Sequence, residues 1–234
     1  TSYSSLILDG SISGTVTYNR SVNSFTNDAT NNDNDLISAP VTGQTFGSFD
    51  SANTNLLASG STRAFAPFNN VTGAYENYDA TTNAATTLDT ATGYRAATTD
   101  GGTLSFTGNA ESGNVSKNVT IGDDMTYGIW NLIGNPYPSY LDVETFLTHV
   151  VSTQTSGERN IDLMESASGI YGYDGDASDG WRIITLANAS GELMAPGQGF
   201  FIAADGNDVL AHDIEFTPAM RTSGNADDFI QNRT

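Results

Sequence analysis

One stretch of this chain gathers residue types suited to holding a ligand. Tyr173-Asp174-Gly175-Asp176-Ala177-Ser178-Asp179-Gly180-Trp181 sets three carboxylates in a Gly-rich loop between aromatic side chains. Calcium takes about six to eight hard oxygen ligands, which Asp174, Asp176 and Asp179, the Ser178 hydroxyl and backbone carbonyls could supply. The D-x-D-x-x-D-G spacing lacks the register and terminal Glu of an EF-hand, so a solvated acidic turn is the competing reading. Trp181 and Tyr173 offer apolar ring faces that could stack on a sugar, with neighbouring polar groups bonding its hydroxyls. Asn27-Asp28 and Asn31 to Asp35 form a weaker acidic candidate, a polar loop being the alternative. Asp123-Asp124 and Asp227-Asp228 read as surface turns.

Catalytic groupings are sparse. His149 and His212 are the only histidines and fall in different expected elements. His149, on an expected helix, reads as a surface or packing residue. The chain has no Gly-x-Ser-x-Gly elbow, zinc-binding His motif or phosphate loop. Paired carboxylates of the glycosidase kind need only converge in space, and 27 acids make their mere presence uninformative. The expectation is a chain without enzymatic activity. Tyr75, Tyr78, Tyr94 and Tyr171 lie with Tyr173 and Trp181 near expected strand ends and loops. Most of these could be core residues; Trp181, beside the acidic loop and without an evident counterpart elsewhere, is the one expected to meet a ligand.

Charge narrows the partners. The 234 residues carry 27 Asp plus Glu against 8 Lys plus Arg, a net charge of −19, and Lys117 is the only lysine. Nucleic acid, which is held by cations on phosphates, is excluded as a natural partner, and anionic membrane surfaces are disfavoured. Divalent cations suit such a surface. With no cysteine, disulfides and thiolate chemistry are absent. No apolar run is long enough to span a bilayer, so membrane insertion is not expected. Thr1 opens on Leu6-Ile7-Leu8 without a signal peptide, so a mature segment or a fragment is expected.

The elements that must position these residues are short strands. Thr, Ser, Asn, Asp and Gly dominate, with β-branched and aromatic runs between turn clusters, the pattern of a sandwich or barrel. Leu141 to Val151 departs from it: Leu141, Phe146, Leu147, Val150 and Val151 approach helical spacing, Pro138-Ser139 gives a start signal, and Asp142 and Glu144 fall in the first turn. A single short helix is expected there. The corresponding Val41 to Leu57, rich in Gly, Ser and Asn, is expected to be irregular.

The strands occur twice. Asp35-Leu36-Ile37-Ser38-Ala39-Pro40 returns as Asn131-Leu132-Ile133-Gly134-Asn135-Pro136, and Gly93-Tyr94-Arg95-Ala96 as Gly199-Phe200-Phe201-Ile202. Ser13-Gly14-Thr15-Val16 matches Ser112-Gly113-Asn114-Val115, Ala74-Tyr75 matches Ile170-Tyr171, and Phe106-Thr107 matches Phe216-Thr217. The order is kept at an offset of about 100 residues, the signature of duplication. The expected architecture is an all-β, jelly-roll-like β-sandwich built from an internal duplication. Residues 1–109 are the first repeat, 110–221 the second, and 222–234 a linker or the start of a following strand.

Trp130-Asn131-Leu132-Ile133-Gly134-Asn135-Pro136-Tyr137-Pro138-Ser139, then Ala195-Pro196-Gly197-Gln198-Gly199-Phe200-Phe201, then Phe216-Thr217 with Met220-Arg221, resembles modules of large Bacteroidetes surface and secreted proteins. In that family the module commonly precedes the sorting domain of type IX secretion. The resemblance covers about Gly10 to Arg221 and implies an extracellular, cell-surface β-rich module. Its expected role is adhesion or filament and surface-layer structure, through self-association or contact with other surface-protein domains. A carbohydrate-binding module of a secreted glycanase, with a glycan as partner, is the alternative, and part of a secreted hydrolase the third. Asp50-Ser51-Ala52 and Asp89-Thr90-Ala91 resemble the O-glycosylation signal of the same bacteria, marking Ser51 and Thr90 in expected loops. From the residues alone, Pro136-Tyr137-Pro138 must end a strand at a corner, expected to be held by Trp130 and Tyr137, because proline gives the ladder no donor. Gly197 and Gly199 suggest a tight turn or bulge before a buried strand.

Overall fold

In each half of the chain a short apolar run pairs antiparallel with a strand far downstream, and the two pairings share a register. Asp35–Ser38 pairs with Gly93–Ala96, placing Ser38 opposite Gly93 and Ile37 opposite Tyr94. Trp130–Gly134 pairs with Gly199–Ala203, placing Gly134 opposite Gly199 and Ile133 opposite Phe200. The residues matched by sequence are therefore matched in space. Flanking pairs repeat as well: Val16–Ser21 with Thr103–Ala110, and Val115–Thr120 with Ala211–Phe216. These relations come from a computed structural model, which describes residues 3–10, 12–25, 34–154, 156–165, 169–173, 181–206 and 211–225. The fold is an all-β, antiparallel sandwich carrying two short helices among the described residues.

Each repeat closes over its own core. In the first, Phe65 lies 4.4 Å from Tyr94 and 4.9 Å from Phe49, which in turn lies 4.8 Å from Phe106. In the second, Phe146 lies 5.8 Å from Phe200 and 4.9 Å from Phe216. All of these rings are buried. Truncating any one to alanine costs about 3–5 kcal/mol, from lost transfer energy plus the cavity.

The second-repeat helix, α2, spans Val143–Thr148 and is shorter than expected. Its cap is Asp142 rather than Ser139, the carboxylate accepting from the Thr145 amide at 2.7 Å. The first repeat is not irregular at the equivalent place: α1 spans Phe46–Ala52, with Thr45 as its cap. Gly and Ser give this segment poor intrinsic propensity, but Phe46 and Phe49, three residues apart, bury one face and override it. Among the described residues the last strand is Arg221–Thr222, which sets Thr222 opposite Tyr140 and Arg221 opposite Leu141.

The two repeats meet through their central strands, and the contacts are reciprocal. A Cβ on Gly93 would stand 2.6 Å from the Ile133 carbonyl oxygen, and one on Gly199 would stand 2.8 Å from that of Ile37. Only glycine allows this approach from either side. The Ser38 amide donates to Gly197 O at 2.7 Å, and the equivalent Gly134 amide donates to Ala91 O at 3.1 Å. This is the arrangement of an isologous dimer interface, here within one chain.

The Pro-Tyr-Pro corner follows the Trp130–Gly134 strand, but Trp130 takes no part in it. Asn135 and Tyr137 hold the corner instead. Asn135 Nδ2 donates to the carbonyls of Ser139 (2.8 Å) and Ala195 (3.0 Å), and the single proton of the Tyr137 hydroxyl is shared between Gly113 O (2.7 Å) and Phe216 O (3.0 Å). Gly197 makes the expected turn with φ of 65°, ahead of the wholly buried Gly199–Ala203 strand.

Candidate functional site

Beside each central strand lies a hairpin, and each hairpin carries an aromatic pair across its strands. In the second repeat Ile170–Tyr173 pairs with Trp181–Ile184, setting Tyr173 opposite Trp181, their rings 5.0 Å apart. In the first, Phe68–Asn69 pairs with Ala74–Tyr75, setting Phe68 opposite Tyr75, their rings 5.4 Å apart. The strand beside Gly93–Ala96 is Phe65–Ala66, as Ile170–Tyr173 is beside Gly199–Ala203. Phe65–Ala66, rather than Ala74-Tyr75, is thus the counterpart of Ile170-Tyr171. Short Ala-Tyr and Ile-Tyr runs resemble each other on the outgoing and returning strands, so sequence alone misaligns them. Tyr75 then falls at the place of Trp181 and supplies the counterpart that sequence comparison misses.

The two hairpins converge on Phe201. Its ring lies 5.2 Å from Phe68, 5.9 Å from Trp181, 6.2 Å from Tyr75 and 6.3 Å from Trp130. Trp130 stands edge-on to Tyr171 at 4.8 Å and 89°. These rings wall an apolar cavity of about 620 Å³. Half-exposed Trp181, Ile183 and Tyr127 form its rim. A second cavity of about 360 Å³, which Tyr173 also lines, shares Tyr75 and Trp181 with the first and is polar where Asn34, Asn77 and Arg95 line it; through the shared pair the two make one groove.

The groove differs across the repeat axis. Arg95 faces Leu36 where Phe201 faces Leu132. The Arg95 guanidinium stacks over Tyr75, 4.1 Å from the ring centroid. Burial pushes the Tyr75 hydroxyl up to about 12, with Arg95 partly offsetting it, so Tyr75 is a neutral hydrogen-bonding group at ordinary pH. Two expected ligand residues, Trp181 and Tyr173, are therefore brought together, joined by Tyr75, Phe68, Phe201 and Trp130. Tyr75 is among the aromatics expected near strand ends, whereas Phe68 and Phe201 carry no local signal; the exchange of Phe201 for Arg95 between otherwise matching strands is the signal available.

The other candidates are placed differently. Asp174, Asp176 and Asp179 lie outside the described residues, as do Asn27, Asp28, Asp227 and Asp228. Among the described residues no three His, Asp or Glu side chains gather as a metal site. Asp35 accepts from Asn23, through the backbone amide at 2.7 Å and Nδ2 at 3.0 Å. Ser51 is not in a loop: it sits exposed on α1, its hydroxyl on Gly47 O at 2.8 Å, and its neighbour Asp50 pairs with Arg63 at 2.5 Å. Thr90 lies half-buried in the turn before Gly93–Ala96.

One serine, histidine and carboxylate do meet, without forming a nucleophile. His149 Nε2 lies 3.0 Å from Glu215 Oε2, and the Ser152 hydroxyl and amide both donate to the same carboxylate. The acid stands between serine and histidine, so the histidine is not placed to take the serine proton. Burial opposes the Glu215 charge, but the bonds from Ser152 and His149 outweigh it and hold the acid below its ordinary range. The group clamps the end of α2 to the Ala211–Phe216 strand. His212 is likewise spent on structure, its Nε2 2.8 Å from Asp205 O.

No helix among the described residues is long and apolar enough to cross a membrane. Compared with known proteins, residues 3–234 match the family model described as a domain of unknown function, DUF8693. No curated protein and no solved structure matches the chain.

Proposed function

We propose that this chain, which belongs to the DUF8693 family, is a non-enzymatic module of an exported, cell-surface protein that holds a ligand in the groove between its repeats. The role is adhesion or surface assembly. The observation that carries the reading is the convergence of Trp181, Tyr75, Trp130, Tyr171 and Phe201 on one open cavity of about 620 Å³. A protein that folds only for stability buries such rings; a contiguous, part-exposed aromatic surface marks a contact site. The export assignment rests on the resemblance of the Trp130 to Ser139 and Ala195 to Phe201 strings to Bacteroidetes surface modules. Modification at exposed Ser51 or at Thr90 would accord with it, and the intact mass of the protein from its native host tests this.

Trp181 favours a second reading within the same site, a carbohydrate-binding module. Half its surface is exposed beside Tyr173, where a sugar ring could lie on it. A panel of host and bacterial glycans, applied to the wild type and to Trp181→Ala, tests both readings. Glycan binding lost in the variant supports the carbohydrate module, whereas binding to surface proteins alone supports the adhesive one. Binding unaffected by the substitution contradicts the use of this groove.

A further inference from the structure

We propose that the ligand of this groove is an amphipathic anion, its apolar group set against Phe201 and Trp181 and its carboxylate or sulfate on Arg95. The proposal rests on the groove being the binding face. Among the described residues, Arg95 is the one charged side chain lining the two cavities, and no carboxylate pairs with it. In a chain with 27 acids and 8 basic residues, Arg63, Arg159 and Arg182 hold carboxylates, whereas Arg95 and Arg221 each lie over a tyrosine ring instead, and of these two only Arg95 lines a cavity. A part-buried guanidinium without a counter-charge is costly to keep, and an incoming anion relieves that cost. Tyr75, stacked beneath it at 4.1 Å, fixes the plane of the fork. A fixed, planar fork suits a carboxylate or sulfate, which it binds through two parallel hydrogen bonds.

The apolar half of the ligand follows from the other cavity. Its lining holds Phe201, Phe68, Trp130 and Ile183 and no charged residue. Tyr75 and Trp181 line both cavities, so one molecule can reach from the aromatic bay to the guanidinium. The duplication explains the polarity: the second repeat offers Phe201 where the first offers Arg95, so a symmetric cleft became one with an apolar end and a cationic end.

Two dyes of nearly the same shape test the proposal, 8-anilinonaphthalene-1-sulfonate and its uncharged relative N-phenyl-1-naphthylamine, titrated by fluorescence. The wild type is expected to bind the sulfonate about tenfold or more tightly than the neutral dye, the scale of one charge-assisted contact. Arg95→Gln should remove that preference and leave neutral-dye affinity within about twofold. Arg95→Lys, which keeps the charge, should restore part of it, and melting curves confirm that the variants fold. Equal binding of the dyes, or a preference untouched by Arg95→Gln, overturns the anion proposal. If Trp181→Ala leaves both dyes bound, they sit elsewhere and the groove reading itself falls. Competition then identifies the source. Displacement of the sulfonate by tetragalacturonate but not decanoate points to an acidic saccharide, and the reverse to an acyl acid; failure of both contradicts the proposal.

Discussion

Ala91 stands in the first repeat where Gly197 stands in the second, and both hold the left-handed backbone, with φ of 59° and 65°. Each presents its carbonyl across the repeat axis, Ala91 to the Gly134 amide and Gly197 to the Ser38 amide. The turn before each central strand is thus a joint between repeats, and one of the two is made with the wrong residue. A side chain in this conformation costs about 1–2 kcal/mol. Ala91 keeps its methyl because that methyl is buried in the second repeat's core.

Substitution at the two joints should therefore be asymmetric. Gly197→Ala adds the strain and places a Cβ 3.0 Å from Ser38 O, so a loss of about 1–3 kcal/mol is expected. In Ala91→Gly the relieved strain offsets the lost methyl, about 0.8 kcal/mol, and the extra freedom of glycine, so stability should stay within about 1 kcal/mol of wild type. Urea denaturation of the two variants measures both.

Because the repeats interlock at Gly93 and Gly199, they should unfold together although each has its own core. Phe65→Ala in the first core and Phe200→Ala in the second are each expected to cost about 3–5 kcal/mol and to lower one common transition. Calorimetry that resolves two transitions, one moved by each variant, would show that the repeats are independent.

Acid should loosen the α2 clamp. Glu215 is held below its ordinary range, so the stability it contributes is present above the unfolded-state value of about 4.3 and disappears as pH falls through the lower folded value. Glu215→Gln should reduce stability at pH 7 by about 1–3 kcal/mol and flatten its loss on acidification. Ser152→Ala should do the same more weakly. Melting temperatures between pH 7 and about pH 3 follow both effects.

The repeat and its strand-forming strings are legible in the sequence because they are local, as in Asp35 to Pro40 and Asn131 to Pro136; which strands pair is not, because the partners lie far apart along the chain. Helix α1 was not, because its Gly-Ser composition conceals two buried phenylalanines. The groove was half legible. Trp181 and Tyr173 stand out beside an acidic loop, but Phe201, Phe68 and Arg95 look like ordinary strand residues until the repeat axis brings two hairpins together. Trp130 belongs to the groove rather than to the corner, because its ring meets Tyr171 and Phe201 on neighbouring strands, a contact that nothing local in the sequence announces.

The acidic loop between Tyr173 and Trp181 gives a direct expectation for metal. If Asp174, Asp176 and Asp179 hold calcium in the folded protein, the melting temperature rises in millimolar calcium and falls with chelator, since a ligand specific to the folded state stabilises it by mass action. The double variant Asp174→Ala, Asp176→Ala should lose that response. A melting temperature indifferent to calcium in the wild type would leave the loop as a solvated acidic turn.

The chain holds two tryptophans, Trp130 and Trp181, and both line the groove. Intrinsic tryptophan emission therefore reports on this one site, and its titration against glycans, acidic saccharides and acyl acids is the most direct test of the central claim. A binding module that uses the groove should give a saturable change in emission, lost in Trp181→Ala and kept in Trp181→Phe. A ligand that binds by calorimetry while the emission stays constant would place function elsewhere on the surface and contradict the account.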